Sequence, residues 1–231
     1  MMRPGLYLHI GTHKTGTTSF QAFISEQADD LRAHGVEPWF ENGGVANAWQ
    51  LAHHFLREDL PTPVRLKGME HKSEGVMERF VRHVEKSDRP AHVVSSEAFC
   101  FARTLAESEA LKIELKSLFQ WVRPIVVFRA ASEWRRSWLM QLTKMKVTDA
   151  IEAVPEHNRV SAGWYFNPAA ITAFWQEIGS LTPIDYDREM ARNASILPAL
   201  QSAIGLSDVP IRKDYQRNVS SYRGAVDPSM R

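Results

Sequence analysis

Two rhythms alternate along the chain. Short apolar, partly β-branched runs stand at residues 6–10 (LYLHI), 92–96 (HVVSS) and 125–128 (IVVF), with weaker ones at 36–40 and 182–186. Runs of this kind mark parallel strands covered on both faces. Between them, apolar positions return every three or four residues, as on an amphipathic helix. From Thr17 to about Ala33 that face is Phe20, Phe23, Ile24 and Leu31, and Gly35 ends the helix. Helices are also predicted over 47–56, ended by Pro61 and Pro63, and over 71–86, where Val76, Met77, Phe80, Val81 and Val84 recur. Two more cover 105–119, on Leu111, Leu115, Leu118 and Phe119, and 130–146. Asn167 precedes Pro168 as a cap precedes a first-turn proline, and Gly179 closes that helix. A last helix runs to Ile204, and the segment from Arg212 reads as polar and irregular.

Strands alternating with helices predict an α/β fold: an open parallel β-sheet flanked by helices, P-loop-like in its opening. The 231 residues fit one domain, with no repeat, low-complexity segment or linker to divide them. Ligands of such sheets bind beyond the carboxyl ends of the strands. Three predicted strands end in loops rich in chemistry: Gly11–Thr18, Ser95-Ser96-Glu97, and Arg129.

Charge sharpens this picture. The net charge is +1, which gives no global field for nucleic acid or membrane. Locally, Arg123, Arg129, Arg135, Arg136, Lys144 and Lys146 face only Glu133 between Trp121 and Lys146. The stretch from Arg212 to Arg231 is also basic, and the first acid of the chain is Glu26. Three acid-poor stretches in a nearly neutral chain point to a local anion site. One cysteine, Cys100, excludes an internal disulfide and a multi-cysteine zinc site. The adjacent His53 and His54 point to different faces of their helix and are not joint ligands, so no metal is expected. No apolar run reaches the ~18 residues of a membrane span, and the N-terminus makes a poor signal peptide. The expected location is cytoplasmic.

The loop Gly11-Thr12-His13-Lys14-Thr15-Gly16-Thr17-Thr18-Ser19 nearly repeats G-x-x-x-x-G-K-[ST], the phosphate loop of nucleotide triphosphatases. The lysine of that pattern is displaced: Thr17 follows the second glycine, and Lys14 lies inside the loop. Backbone N–H groups and a positive helix end still favour an anion, and Lys14 adds a point charge. The usual grip on a γ-phosphate is missing, so the loop suits a shorter anion chain.

At this point the sequence resembles a known family. The opening is similar to the 5′-phosphosulfate loop of sulfotransferases that use 3′-phosphoadenosine 5′-phosphosulfate (PAPS), where the loop lysine likewise precedes the second glycine. Their second signature is a strand ending in arginine with a serine eight residues later. Here "VVFRAASEWRRSWLMQ" supplies Arg129 and Ser137. A guanidinium can fork onto a phosphate while the hydroxyl donates to the same group. The resemblance covers roughly residues 6–146, with an echo in "NVSSYRG" near the end. It implies cofactor contacts from His13, Lys14, Thr15, Gly16, Thr17, Thr18, Arg129 and Ser137. Near the C-terminus either Asn218 and Ser220 or Arg223 and Gly224 match family segments, and a mobile tail is the alternative.

The resemblance further implies metal-independent, in-line transfer of a sulfuryl group from PAPS to an acceptor hydroxyl or amine, releasing 3′-phosphoadenosine 5′-phosphate (PAP). Lys14 would neutralise charge on the leaving phosphate. Glu97, after the strand between the two cofactor motifs, would be the general base, with His13 as its rival. A small-molecule or glycan acceptor is expected, a carbohydrate hydroxyl first. Trp39, Phe40, Trp49, Phe99, Phe101, Trp164, Tyr165 and Phe166 could supply its pocket, and residues 147–166 a lid or acceptor wall. Two other readings compete: a P-loop kinase, which lacks its lysine here, and a catalytically silent module that binds an adenosine phosphate.

Overall fold

The computed structural model describes residues 3–41, 43–68, 75–212 and 215. Its centre is a parallel sheet of five strands among the described residues, in the order β2-β3-β1-β4-β5. The strands are β1 (Gly5–Gly11), β2 (Val36–Pro38), β3 (Ala91–Ser95), β4 (Trp121–Phe128) and β5 (Thr182–Asp185). After β1 come α1 (Thr17–Glu26) and α2 (Ala28–Ala33), and after β2 come α3 (Trp49–Phe55), α4 (Pro63–Leu66) and α5 (Val76–Lys86). Next, α6 (Leu105–Leu118) separates β3 from β4. Three helices, α7 (Ala131–Lys144), α8 (Thr148–Glu152) and α9 (Pro168–Gln176), lead to β5, and α10 (Tyr186–Asn193) and α11 (Leu197–Ala203) follow it. No helix among the described residues is long and apolar enough to cross a membrane.

The strands read as unbroken apolar runs because both faces of the sheet are covered. Leu6, Leu8 and Ile10 of β1 join Val94 and Val126 in a core with α3, α5, α6, α7 and α9. Val93, Ile125 and Val127 point the other way, against Phe20, Phe23 and Ile24 of α1 and Leu197 and Leu200 of α11. Because β1 lies between β3 and β4, the chain reverses direction across the sheet there, and the ends of those strands border one crevice.

Four elements differ from the periodicity reading. The helix predicted from Thr17 to Ala33 breaks at Gln27 (φ −113°, ψ 25°). The Gln27 amide donates to Asp30 Oδ2 at 3.0 Å and to the Pro210 carbonyl at 2.9 Å, and accepts from the Arg212 N–H at 3.1 Å. It clamps a later segment of the chain instead of continuing the helix. The helix predicted to run to Ile204 is two, parted where Ala194 turns left-handed (φ 53°). Strand β4 starts at Trp121, ahead of the predicted Ile125. Pro124 is tolerated in it because β5 pairs only from Ile125 onward. Residues 147–166, expected as a lid or acceptor wall, are instead packed down away from the cavity lining: Val147, Ile151, Val160 and Tyr165 are buried, and Val160 accepts a hydrogen bond from the Trp138 indole at 2.9 Å.

Candidate active site

The loop after β1 is pinned by its own threonines. Thr12 is buried, and both its N–H and its hydroxyl donate to the Val127 carbonyl, at 3.2 and 2.9 Å. The Thr12 carbonyl in turn accepts from the hydroxyls of Thr15 at 2.5 Å and Thr17 at 3.5 Å. Those hydroxyls therefore shape the loop, and Thr18 is the exposed one. The glycines answer to protein neighbours. A methyl on Gly16 would meet Ile196 Cγ2 at 2.5 Å, and both Gly11 (φ 92°) and Gly16 (φ 89°) are left-handed. Lys14 shares that conformation at φ 67°, an unfavourable state for a side chain with a Cβ. The residue is exposed, and its pKa is lowered by partial burial of the ammonium and then by Lys144. Beyond Gly16, α1 starts with neither a capping side chain nor an acid in its first turn, which leaves its positive end uncompensated.

At the end of β4, Arg129 Nη1 donates to Ser137 Oγ at 3.2 Å, joining the two residues that the sequence placed eight apart. The guanidinium lies 5.2 Å from the Tyr186 ring centroid, and Glu133 and Asp187 stand at 3.6 and 3.8 Å. Its buried Nε has no hydrogen-bond partner among the described residues, because the Asp187 oxygen is too distant. A desolvated guanidinium N–H with no acceptor, at a strand end, is chemically able to donate to an anion.

Glu97 opens the short 3-10 turn Glu97–Phe101 after β3. Ser96 takes the capping role, accepting from the Ala98 N–H at 3.3 Å, so the Glu97 carboxylate is left to other work. Gln21 of α1 donates to it at 3.3 Å. Burial raises the Glu97 pKa above the ordinary carboxylate range, opposed by its own backbone N–H, Gln21 and Lys14. His13, the rival base, is held differently. Its Nδ1 shares a hydrogen bond with the Tyr165 hydroxyl, and its ring lies 4.2 Å from that of Trp138 and 5.0 Å from that of Phe101. Burial, and less strongly Lys14, push its pKa down to about 3, so the imidazole stays neutral. Cys100 beneath it donates to the Glu97 carbonyl at 2.8 Å, with its thiol pushed up to about 12 by burial.

These groups meet in one cavity of about 740 Å³. Its walls include Lys14, Thr18, Glu97, Arg129 and Ser137, together with His13, Gly16 and Thr17. Thr15 is buried beneath the loop and does not line it. Arg223, Gly224, Asn218 and Ser220 lie outside the described residues.

No family model and no curated protein matches the chain. Solved structures do. A sulfotransferase from Alicyclobacillus acidocaldarius superposes with a TM-score of 0.59 at 15% identity, over 96% of this chain and 88% of that one. A sulfotransferase domain from the curacin biosynthetic pathway gives 0.50 at 12% identity, over 93% and 77%. The chain has a sulfotransferase fold.

Within this sulfotransferase fold several cavity residues carry no motif of their own. Lys144 is seven residues beyond Ser137 on α7, and Gln21, which supports Glu97 without lining the cavity, is four beyond Thr17 on the same face of α1. Helical spacing from the motif residues was the available signal for both. Tyr186 and Ile196 come from the segment after β5, which no motif marked. Of the aromatic residues singled out, Trp49 and Phe101 line the cavity. Trp39 instead packs on Phe80 at 5.3 Å, and Trp164 lies 3.9 Å under the Arg103 guanidinium. His53 bonds to the Trp49 carbonyl and Thr62, whereas His54 pairs with Glu114 at 3.3 Å, so the two histidines do point apart.

Proposed function

We propose that this chain transfers a sulfuryl group from PAPS to an acceptor hydroxyl, with a carbohydrate as the first candidate. One observation carries the reading. Lys14, Glu97 and the Arg129–Ser137 pair, from the ends of three neighbouring strands, line a single cavity. The residues fit such a donor: a bisphosphorylated nucleotide needs two separate anion sites. The α1 terminus with Lys14 is one, and the Arg129 Nε beside Ser137, unpartnered among the described residues, is the other.

Bound there, PAPS supplies an activated sulfuryl group on its 5′-phosphate. The loop N–H groups and Lys14 hold the 5′ end, and Arg129 and Ser137 hold the 3′-phosphate. Glu97 accepts the proton of the acceptor hydroxyl, whose oxygen forms the new bond to sulfur. Lys14 and the α1 terminus neutralise the 5′-phosphate oxygen, which keeps the electron pair of the broken bond. By analogy with phosphoryl transfer, positioning and charge dominate such a step, and no residue needs to form a covalent intermediate.

The test is a thermal shift with PAP beside magnesium-ATP and AMP, followed by transfer of labelled sulfuryl groups from PAPS to a panel of sugars. A ligand at ~100 times its Kd adds ~2.7 kcal/mol of stability, easily seen as a rise in Tm. A metal-independent shift with PAP supports the reading. A shift confined to magnesium-ATP overturns it in favour of a kinase.

A further inference from the structure

We infer that Lys144 is a second cation at the transferred sulfuryl group, acting with Lys14; the inference rests on the donor reading above. Helix α7 presents Ser137, Gln141 and Lys144 to the cavity, at positions i, i+4 and i+7 of one helical face. Ser137 holds Arg129 at 3.2 Å. Lys144 stands seven residues further on, about 10 Å along the axis at 1.5 Å per residue. The helix therefore reaches from the 3′-phosphate pair to a second positive charge across the same cavity.

Charge balance makes that second cation informative. Glu97 is the one carboxylate among the described cavity-lining residues. Arg129 already has Glu133 and Asp187 nearby, whereas Lys144 has no ion pair among the described residues. Lys14 and Lys144 line the same cavity, and after burial Lys144 is the next cause that holds the Lys14 ammonium below its ordinary pKa. Two like charges facing one cavity repel in the empty protein, and an anion between them relieves the repulsion. The loop and the α1 terminus already serve the 5′-phosphate. A cation arriving from α7 meets the group attached beyond it.

PAP and PAPS differ by that sulfuryl group, so the two nucleotides separate this role from general nucleotide binding. Calorimetric Kd values are compared for the wild type, Lys144→Gln and Lys144→Arg. Lys144→Gln is expected to weaken PAPS about tenfold and PAP less than about twofold, the size of one charge-assisted contact. Lys144→Arg keeps the charge and stays within about threefold for PAPS. Equal losses for both nucleotides, no loss for either, or an arginine variant as weak as the glutamine variant overturns the inference. A wild-type protein that binds neither nucleotide overturns the donor reading itself, whereas tight binding of both, unchanged by Lys144→Gln, removes Lys144 alone.

Discussion

Gly11 and Glu97 are in direct contact: a methyl group built on Gly11 would sit 2.8 Å from both Cα and Cβ of Glu97. The glycine that ends β1 therefore sets the position of the candidate base in the turn after the neighbouring strand β3. Gly11→Ala meets a steric penalty of about 1–2 kcal/mol for its left-handed φ, and it also pushes Glu97 outward. Urea unfolding should show a loss of at least that size. Transfer activity at a temperature where the variant stays folded should fall much further than PAP binding. Full activity in the folded variant would detach Gly11 from the placement of Glu97.

Glu97 should reveal itself through pH. Burial raises its pKa, and a base must be ionised to accept a proton, so activity rises with pH through a value above the ordinary carboxylate range. Glu97→Gln should abolish that limb and lower kcat by ~10²–10⁴, with PAP affinity unchanged. The sign for stability is opposite. A raised folded pKa gives a contribution that is whole below the unfolded pKa and lost as pH rises through the folded one. Glu97→Gln should therefore keep or raise Tm at pH 8 while it destroys transfer, and a matched fall in both would make Glu97 a structural residue.

Much of this was legible beforehand, for identifiable reasons. Buried parallel strands leave uninterrupted apolar runs, so LYLHI and IVVF declared themselves. The loop, its lysine and the Arg129–Ser137 spacing are local in sequence, and the structure joins that pair at 3.2 Å. What stayed hidden depends on contacts between distant segments. Gln27 breaks a helix because Pro210 and Arg212 dock on its amide, and no local pattern records that. The tie between His13 and Tyr165 spans 152 positions, and it anchors the irregular stretch 147–166 to the loop after β1. Periodicity reports which face of an element is buried, but not which partner covers it.

Arg129 and Ser137 should behave unequally. The guanidinium presents several donors in a rigid fork, and its Nε lacks a partner among the described residues. Arg129→Ala is expected to weaken PAP by at least ~100-fold, in line with charge-assisted contacts of ~1.5–3 kcal/mol each. Arg129→Lys should recover little of this, because a point charge cannot reproduce the fork. Ser137→Ala removes one hydroxyl, worth about tenfold. AMP, which lacks the 3′-phosphate, should lose almost nothing in any of the three variants. Equal losses for AMP and PAP would move the 3′-phosphate away from this pair.

His92 carries the last prediction, because the fold holds it where protonation is costly. It is fully buried on β3 beside its register partner Glu37 of β2, and neither ring nitrogen has a hydrogen-bond partner among the described residues. Phe119 and His83 pack edge-on against it, at 5.8 and 5.5 Å. Burial, and then His83, lower its pKa to about 4. His9 and His13 are lowered to about 3 and His53 to about 4, each mainly by burial. A lowered histidine contributes stability that is whole above its unfolded pKa near 6.5 and drains away as pH falls toward the folded value. Between pH 6.5 and 5 each such group removes about 2 kcal/mol, opposed in part by Glu41, pushed up to about 7 by burial, and by Glu97, also raised by burial, which favour the folded state as they take up protons. With four lowered histidines against two raised carboxyls, urea midpoints should fall below pH 6.5. His92→Leu removes one share of that loss along with the unpartnered nitrogens. It should flatten the acid slope by about 2 kcal/mol over the same interval and gain about 1 kcal/mol at pH 7.5. An unchanged slope would show that His92 is hydrated or paired in solution and titrates normally.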